Sequence, residues 1–369
     1  MTRFLALALT VVVLACGPVL AQEPIKIGDI NSYKVMAANM VPYRRGTDLA
    51  LEQINAAGGV LGRKLVIVQR DDNANPGDAV RAADELRLGE KVDLLVGTIL
   101  SNVGLAVTDY SRQHKIFFLA VSATTDKIVW ENGNRYTFRL RASTYNHAAA
   151  LVPYAAGLKK KRWAFVYPNF EFGQSVTASF KALLKKAQPD VEFVGDFAPP
   201  LGKIEAGPIV QALTDAKPEG VLNALFGPDL AKFAREGETR GAFRSAKVLG
   251  VFTGDPEYLD PLREDTPEGW YVTGYPWYLI KTPEHMAFLD AYQKRWSDYP
   301  RIGSLMGYMT IKSVAAGIAK AGKTDTESLI KAFEGLEVAQ PVGKVMFRPN
   351  DHQGTVGIYL GHTAKKDGK

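Results

Sequence analysis

Reactive side chains are sparse in this chain, and none are grouped for catalysis. The five histidines stand at 114, 147, 285, 352 and 362. No two are spaced to hold one metal from a single helix, and no H-E-x-x-H occurs. There is no G-x-S-x-G nucleophile elbow, and no G-x-G-x-x-G or Walker loop follows a predicted strand. One S-x-x-K, Ser328-Leu329-Ile330-Lys331, lies mid-helix without the motifs that would make its serine a nucleophile. Asp71-Asp72 has the look of a carboxylate dyad, but Asn73 and Pro76 follow it, which is the chemistry of a turn and a helix start. Such a chain is expected to be no enzyme and to carry no metal or other cofactor.

What remains is polar and aromatic residues placed where open parallel sheets bind ligands, at the C-terminal ends of strands. Ser101-Asn102 follow the third predicted strand and open a helix. Ser122-Ala123-Thr124-Thr125 follow the fourth. Hydroxyls and backbone N–H groups at a helix N-terminus form an anion site, so a carboxylate can be held there without an arginine. Tyr33 and Asn39 lie in the loop behind the first strand. From the second half come Phe170, Phe172 and Phe226 behind strands, and Trp270, Tyr271, Tyr275, Trp277 and Tyr278 near a chain crossing. As a set, these rings suggest an aromatic-walled cleft.

The elements that must position these groups alternate. Strands are expected at Ile25–Gly28, Lys64–Arg70, Val92–Gly97 and Ile116–Val121. Helices are expected at Tyr43–Ala56, from Pro76 to about Leu88, and from Ser101 to His114. That order implies a parallel sheet covered on both faces. After Arg139–Thr144 the cycle restarts, with strands at Trp163–Tyr167, Val191–Phe197, Gly220–Leu225 and Lys247–Phe252 separated by helices. Three helices, Pro283–Ser297, Ser304–Ala321 and Thr326–Glu334, then precede a terminal hairpin of Lys344–Phe347 and Thr355–Leu360. The pattern is α/β with two lobes. Crossings near 141, 275 and 337 assign residues 22–141 and 276–337 to the first lobe, 142–275 and 338–364 to the second, and 365–369 to a tail.

Residues 1–21, MTRFLALALTVVVLACGPVLA, have the form of a cleavable export signal: Arg3, an apolar run from Phe4 to Cys16, and cleavage after Ala21. The rival reading is a lipid-bearing Cys16, the chain's single cysteine. The apolar run is shorter than the roughly 20 residues of a membrane span. The net charge of +6 is spread over helix faces, without the basic stripe and interleaved aromatics of a nucleic-acid surface. No nucleic-acid partner is expected. An exported α/β chain with no reactive constellation points to capture of a solute.

Four stretches carry a resemblance. They are Ile25–Gly28; Gly46–Gly62 running into Arg63-Lys64-Leu65 and Asp71-Asp72; Gly97–Ser101 with Ile116–Thr124; and Val342–Phe347 leading to Asp351-His352-Gln353. Together they make the chain similar to the periplasmic solute-binding proteins of ABC importers, of the branched-chain amino-acid (Leu/Ile/Val) type. The resemblance implies the type I periplasmic binding fold: two Rossmann-like lobes joined by a three-stranded hinge, with the ligand in the interlobe cleft. It also implies a ligand carboxylate at Ser101, Ser122 and Thr124, with Asn102 and Ala123 beside them, and lobe-two rings at Phe172 and Phe226. The acid that holds an amino acid's ammonium in that family falls here on Phe252, with Asp255 and Glu257 nearby. The implied function is capture of a small organic carboxylate, an amino acid or an aromatic acid, for an inner-membrane ABC permease. The alternative is a periplasmic sensor that feeds a receptor.

Overall fold

The computed structural model describes residues 23–366. The expected export signal, the Cys16 alternative and residues 367–369 of the tail lie outside that span. The first lobe runs β1 (Ile25–Asn31), α1 (Ala37–Ala56), β2 (Leu65–Asp71), α2 (Pro76–Asp84), β3 (Leu94–Gly97), α3 (Ser101–His114), β4 (Phe118–Ala120) and β5 (Thr137–Arg139). These strands form one parallel sheet in the order β2-β1-β3-β4-β5. Successive side chains of a strand point to opposite faces, and both faces are covered. Leu94 and Val96 join one core with α1, whereas Leu95 joins another with α2 and α3.

The second lobe runs α4 (Thr144–Gly157), β6 (Arg162–Val166), α5 (Glu171–Ala187), β7 (Glu192–Phe197), α6 (Ala206–Asp215), β8 (Gly220–Asn223), α7 (Gly227–Thr239), β9 (Lys247–Gly254), α8 (Pro256–Leu259) and β10 (Tyr271–Gly274). The chain then returns to the first lobe through α9 (Pro283–Trp296), α10 (Ile302–Ala321) and α11 (Thr326–Phe333). It ends in β11 (Glu337–Gln340), β12 (Gly343–Met346) and β13 (Tyr359–His362). The second sheet has the order β13-β10-β9-β8-β6-β7, and only β13 runs antiparallel to its neighbour. The expectation of two α/β lobes holds.

Several elements differ from the sequence reading. The chain pairs β11 with β12, and β13 goes to the second sheet beside β10. A single bridge, Phe347 to Gly354, is what remains of the expected terminal hairpin. Val338, Val345 and Phe347 lie in the first lobe's core, although residues 338–364 were expected in the second. The third crossing therefore passes near 354–358, not 337. Helix α1 begins at Ala37 rather than Tyr43. Pro42 forfeits one intrahelical bond, yet burial of Met40, Pro42 and Tyr43 holds the first turns. Helix α4, which has no counterpart among the expected elements, contains Pro153 and is started by a reciprocal cap between Ser143 and Asn146. Helix α10 is 20 residues long and apolar enough to cross a membrane, but 78% of its most apolar window is buried in the protein. It is the core helix of the first lobe.

That helix touches α1 backbone to backbone. A Cβ on Gly46 would lie 2.0 Å from the Ser304 carbonyl oxygen, one on Gly307 2.2 Å from that of Tyr43, and one on Gly303 2.4 Å from that of Asn39. The crossing fixes the N-terminus of α10 beside Asn39, at the rim of the cleft. Gly46→Ala is expected to destabilise the protein by about 1–3 kcal/mol, the usual cost of overpacking. The readout is a lower urea midpoint at unchanged m-value; an unchanged midpoint would show that the helices can separate freely.

Candidate functional site

The lobe-one side of the cleft is built by two strand exits. At the end of β3, Gly97 has φ +131°, and a Cβ there would lie 2.0 Å from the Ile30 carbonyl oxygen. Only glycine lets the chain turn this close to β1. Helix α3 then starts at Ser101. Gly104, in its first turn, leaves no room for a Cβ against that of Ala123, which would be 2.6 Å away. The 122–125 loop therefore lies directly on α3. The Ser122 and Ala123 N–H groups donate to Thr98 O at 3.1 and 2.9 Å, and the Thr125 N–H donates to Ser101 Oγ at 3.2 Å.

These contacts sort the candidates. Ser101 and Thr124 are buried at the strand exits, and Ser122 is half-buried beside them. Ser101 keeps its own hydroxyl hydrogen to donate while its oxygen accepts from Thr125. Ala123 packs on Gly104 and contributes shape. Asn102 Oδ1 is buried without a hydrogen-bond partner, an acceptor left open at the start of α3. Thr124 O accepts from Thr144 N at 2.8 Å and from Arg139 Nη1 at 3.2 Å, tying the loop to the first crossing.

Tyr33 follows β1, and Asn39 lies in the first turn of α1. Tyr33 packs against the first core with its hydroxyl near Asp29, whose Oδ1 accepts from Asn31 Nδ2 at 2.8 Å. Burial pushes the Asp29 carboxyl up from its ordinary 3.8 to about 7, while the Tyr33, Asn31 and Tyr43 groups pull it down. Asn39 Nδ2 donates to Tyr258 OH at 3.0 Å. That bond joins α1 of one lobe to α8 of the other.

The lobe-two side is aromatic. Phe172 stands in the first turn of α5, Phe226 just before α7, and Phe252 near the end of β9 at φ +63°. A positive φ of this kind is rare for a bulky residue, and it swings the Phe252 ring onto Phe172, with centroids 5.3 Å apart and planes at 17°. Phe226 meets Phe172 at 5.9 Å and Tyr258 at 6.0 Å, and Phe170 meets Phe172 at 6.0 Å. Phe172, Phe226 and Phe252 are all buried.

Asp255 closes the hinge end. Its carboxylate pairs with Arg141 on the first crossing, Nη2 to Oδ2 at 3.1 Å, and the Arg141 guanidinium lies 4.3 Å over the Phe252 ring. Burial pushes the Asp255 carboxyl up, and Arg141 pulls it back down. Glu257, also raised chiefly by burial, accepts from Ile302 N at 3.1 Å and Gly303 N at 2.7 Å. A lobe-two carboxylate thus caps the N-terminus of a lobe-one helix, the end that favours negative charge. At the opposite rim, Glu171 accepts from Thr125 Oγ1 at 2.7 Å and pairs with Lys127 at 3.2 Å. Met36 packs against all three apolar cores.

Sequence reasoning missed Arg141, Glu171 and Tyr258. An arginine at a predicted crossing was the available signal for the first. Residues Gly317 to Thr324 spell the phosphate-loop pattern G-x-x-x-x-G-K-T, but they form the end of α10 and its cap rather than a loop behind a strand. Among the described residues no group of three or more His, Cys, Asp or Glu side chains is placed to hold a metal.

A model of the family described as periplasmic binding protein matches residues 24–369. The leucine-, isoleucine-, valine-, threonine- and alanine-binding protein of Pseudomonas aeruginosa is 26% identical, over 82% of this chain and 80% of its own length. An amino acid ABC transporter substrate-binding protein from Pseudomonas fluorescens Pf-5 superposes with a TM-score of 0.81 at 25% identity, over 92% of this chain and 90% of its own. A solute-binding protein of an ABC transporter from Rhodopseudomonas palustris BisB5, solved with 3,4-dihydroxy benzoic acid, gives a TM-score of 0.82 at 24% identity, over 94% of both chains.

The raised Asp29 carboxyl has a signed consequence. Its folded pKa lies above its unfolded value, so its contribution to stability is full below about pH 4 and is lost as pH rises through about 7. The slope is at most about 1.4 kcal/mol per pH unit. The melting temperature is expected to fall between pH 5 and 8, and Asp29→Asn is expected to flatten that fall. An identical slope in the variant would contradict the assignment.

Proposed function

We propose, from the premise that the chain belongs to the periplasmic binding protein family, that it is the substrate-binding component of an ABC importer whose ligand is an aromatic carboxylate. The observation that carries this reading is the Arg141–Asp255 ion pair set beside the stacked rings of Phe172 and Phe252. An α-ammonium shut into this cleft needs an acid of its own, since an uncompensated buried charge is costly. Asp255 is already matched by Arg141, and Glu257 is engaged by the α10 N-terminus. The hydroxyls of Ser101, Ser122 and Thr124 and the open end of α3 suit a carboxylate. The ring wall suits a flat apolar body. The fold accommodates such a ligand in the Rhodopseudomonas palustris neighbour solved with 3,4-dihydroxy benzoic acid.

The second reading is a branched-chain amino acid, favoured by what the Pseudomonas aeruginosa relative is named for binding. It requires Asp255 to leave Arg141 and turn to the ligand. In either case the protein captures and does not transform. The lobe-one loops take the carboxylate, the lobe-two rings close over the body, and the closed form passes to a permease in the inner membrane. Residues 1–21 serve export to the periplasm. The ligand drives closure only through contacts made in the closed state, because equal affinity for both states shifts nothing.

A thermal-shift screen separates the two readings. A ligand at a hundred times its Kd adds about 2.7 kcal/mol of stability. Benzoate is expected to raise the melting temperature, and leucine, isoleucine and valine are expected to leave it unchanged. A shift with the aliphatic amino acids alone would overturn the aromatic reading. Phe172→Ala is expected to weaken benzoate binding by at least about 0.5–1.5 kcal/mol, the worth of one aromatic pair beyond its area.

A further inference from the structure

Two buried carboxylates cross between the lobes in opposite directions. Asp126 opens a short 3-10 turn, Asp126–Ile128, directly after the 122–125 loop of the first lobe. Its Oδ1 accepts from Tyr145 N at 2.9 Å, in the first turn of α4. Its Oδ2 accepts from Thr144 Oγ1 at 2.8 Å, Ser179 Oγ at 3.0 Å and Ser175 Oγ at 3.4 Å. These donors belong to α4 and α5 of the second lobe. Glu257, in α8 of the second lobe, makes the reverse crossing to Ile302 N and Gly303 N of α10. Each carboxylate thus meets the N-terminus of a helix of the other lobe, the end that favours negative charge. Glu171, Ser175 and Ser179 are spaced i, i+4, i+8, so one face of α5 meets the consecutive residues Thr125, Asp126 and Lys127. Phe172 stands in the first turn of that same helix.

We propose that Asp126 and Glu257 form a two-point clasp that sets the closed fraction of the protein, and that they determine ligand affinity without touching the ligand. The inference rests on the reading that the protein captures a solute between its lobes, and it adds two positioning residues to that reading. A buried carboxylate that takes its hydrogen bonds from the opposite lobe is satisfied when the lobes meet. On opening it exchanges those donors for water, so the net gain per bond is modest and the clasp releases as well as holds. The apparent Kd of a ligand held by the closed form is its intrinsic Kd divided by the closed fraction. A clasp apart from the ligand therefore scales the affinity of every ligand by one factor. A residue of the ligand wall changes some ligands more than others. The α5 face also joins the two sides of the site, since it grips the continuation of the 122–125 loop while its first turn carries the Phe172 ring.

The test compares the wild type with Asp126→Asn, Glu257→Gln and the double variant. In calorimetric titration each single variant is expected to bind benzoate and phenylacetate about tenfold more weakly, by the same factor for both acids. In small-angle X-ray scattering without ligand, the double variant is expected to have a larger radius of gyration than the wild type, a change that a residue supporting one lobe alone would not produce. Ser179→Ala, which removes one donor and keeps the carboxylate, is expected to act in the same direction as Asp126→Asn and serves if that variant does not fold. Identical scattering from the wild type and the double variant, or unchanged affinity in both single variants, would overturn the clasp. A loss that falls on one acid and spares the other would place these residues in the ligand wall and overturn it as well. Failure of the wild type to bind either acid would overturn the aromatic reading alone, and the scattering comparison then decides the clasp.

Discussion

The ion pair between Arg141 and Asp255 sets the terms for the rest of the cleft. It joins the first interlobe crossing to the end of β9 at 3.1 Å, with little solvent to screen it. Taking two charges out of water is expensive, and removing either partner of such a pair leaves a buried charge at a cost of about 3–5 kcal/mol. The pair is therefore a constraint as much as a bond. It engages Asp255, and it lays the guanidinium over Phe252 at 4.3 Å, which steadies the ring against Phe172. The cleft that results is neutral at its hinge end, aromatic on one side and rich in hydroxyls on the other.

The two lobes are held around that cleft by contacts of differing kind. Glu257 caps α10 across the lobes at 2.7 Å, Asn39 reaches Tyr258 at 3.0 Å, and Glu171 grips Thr125 and Lys127 at the far rim. None of them is a large apolar surface. Contacts of this kind break and re-form at modest cost, as a hinged binding protein requires. The rigid parts lie behind them: the glycine-mediated contact of α1 with α10, and the seat of Ala123 on Gly104. The first fixes the helix end that Glu257 finds, and the second fixes the 122–125 loop against α3.

Much of this was readable in the chain, for definite reasons. The alternation of strands and helices dictates parallel sheets, and parallel sheets bind ligands at their C-terminal edges. The positions of Ser101, Ser122 and Thr124 at strand exits, and of Phe172 and Phe226 behind their strands, were legible on that ground. The family resemblance is borne out by a match over residues 24–369. What sequence could not show is pairing across the fold. Arg141 and Asp255 are 114 positions apart, and Asn39 and Tyr258 are 219. Nor could it show that Ala123 sits directly on Gly104. The terminal strands have four residues each, too few for a hydrophobic pattern to choose their partners, so β13 was assigned to the wrong hairpin.

The most direct measurement is a crystal structure of the protein grown with benzoate. The account predicts the carboxylate on the 101 and 122–125 loops, the ring against Phe172 and Phe252, and Arg141 still paired with Asp255. A ligand bound away from the phenylalanine wall, or an Asp255 released from Arg141, would contradict it.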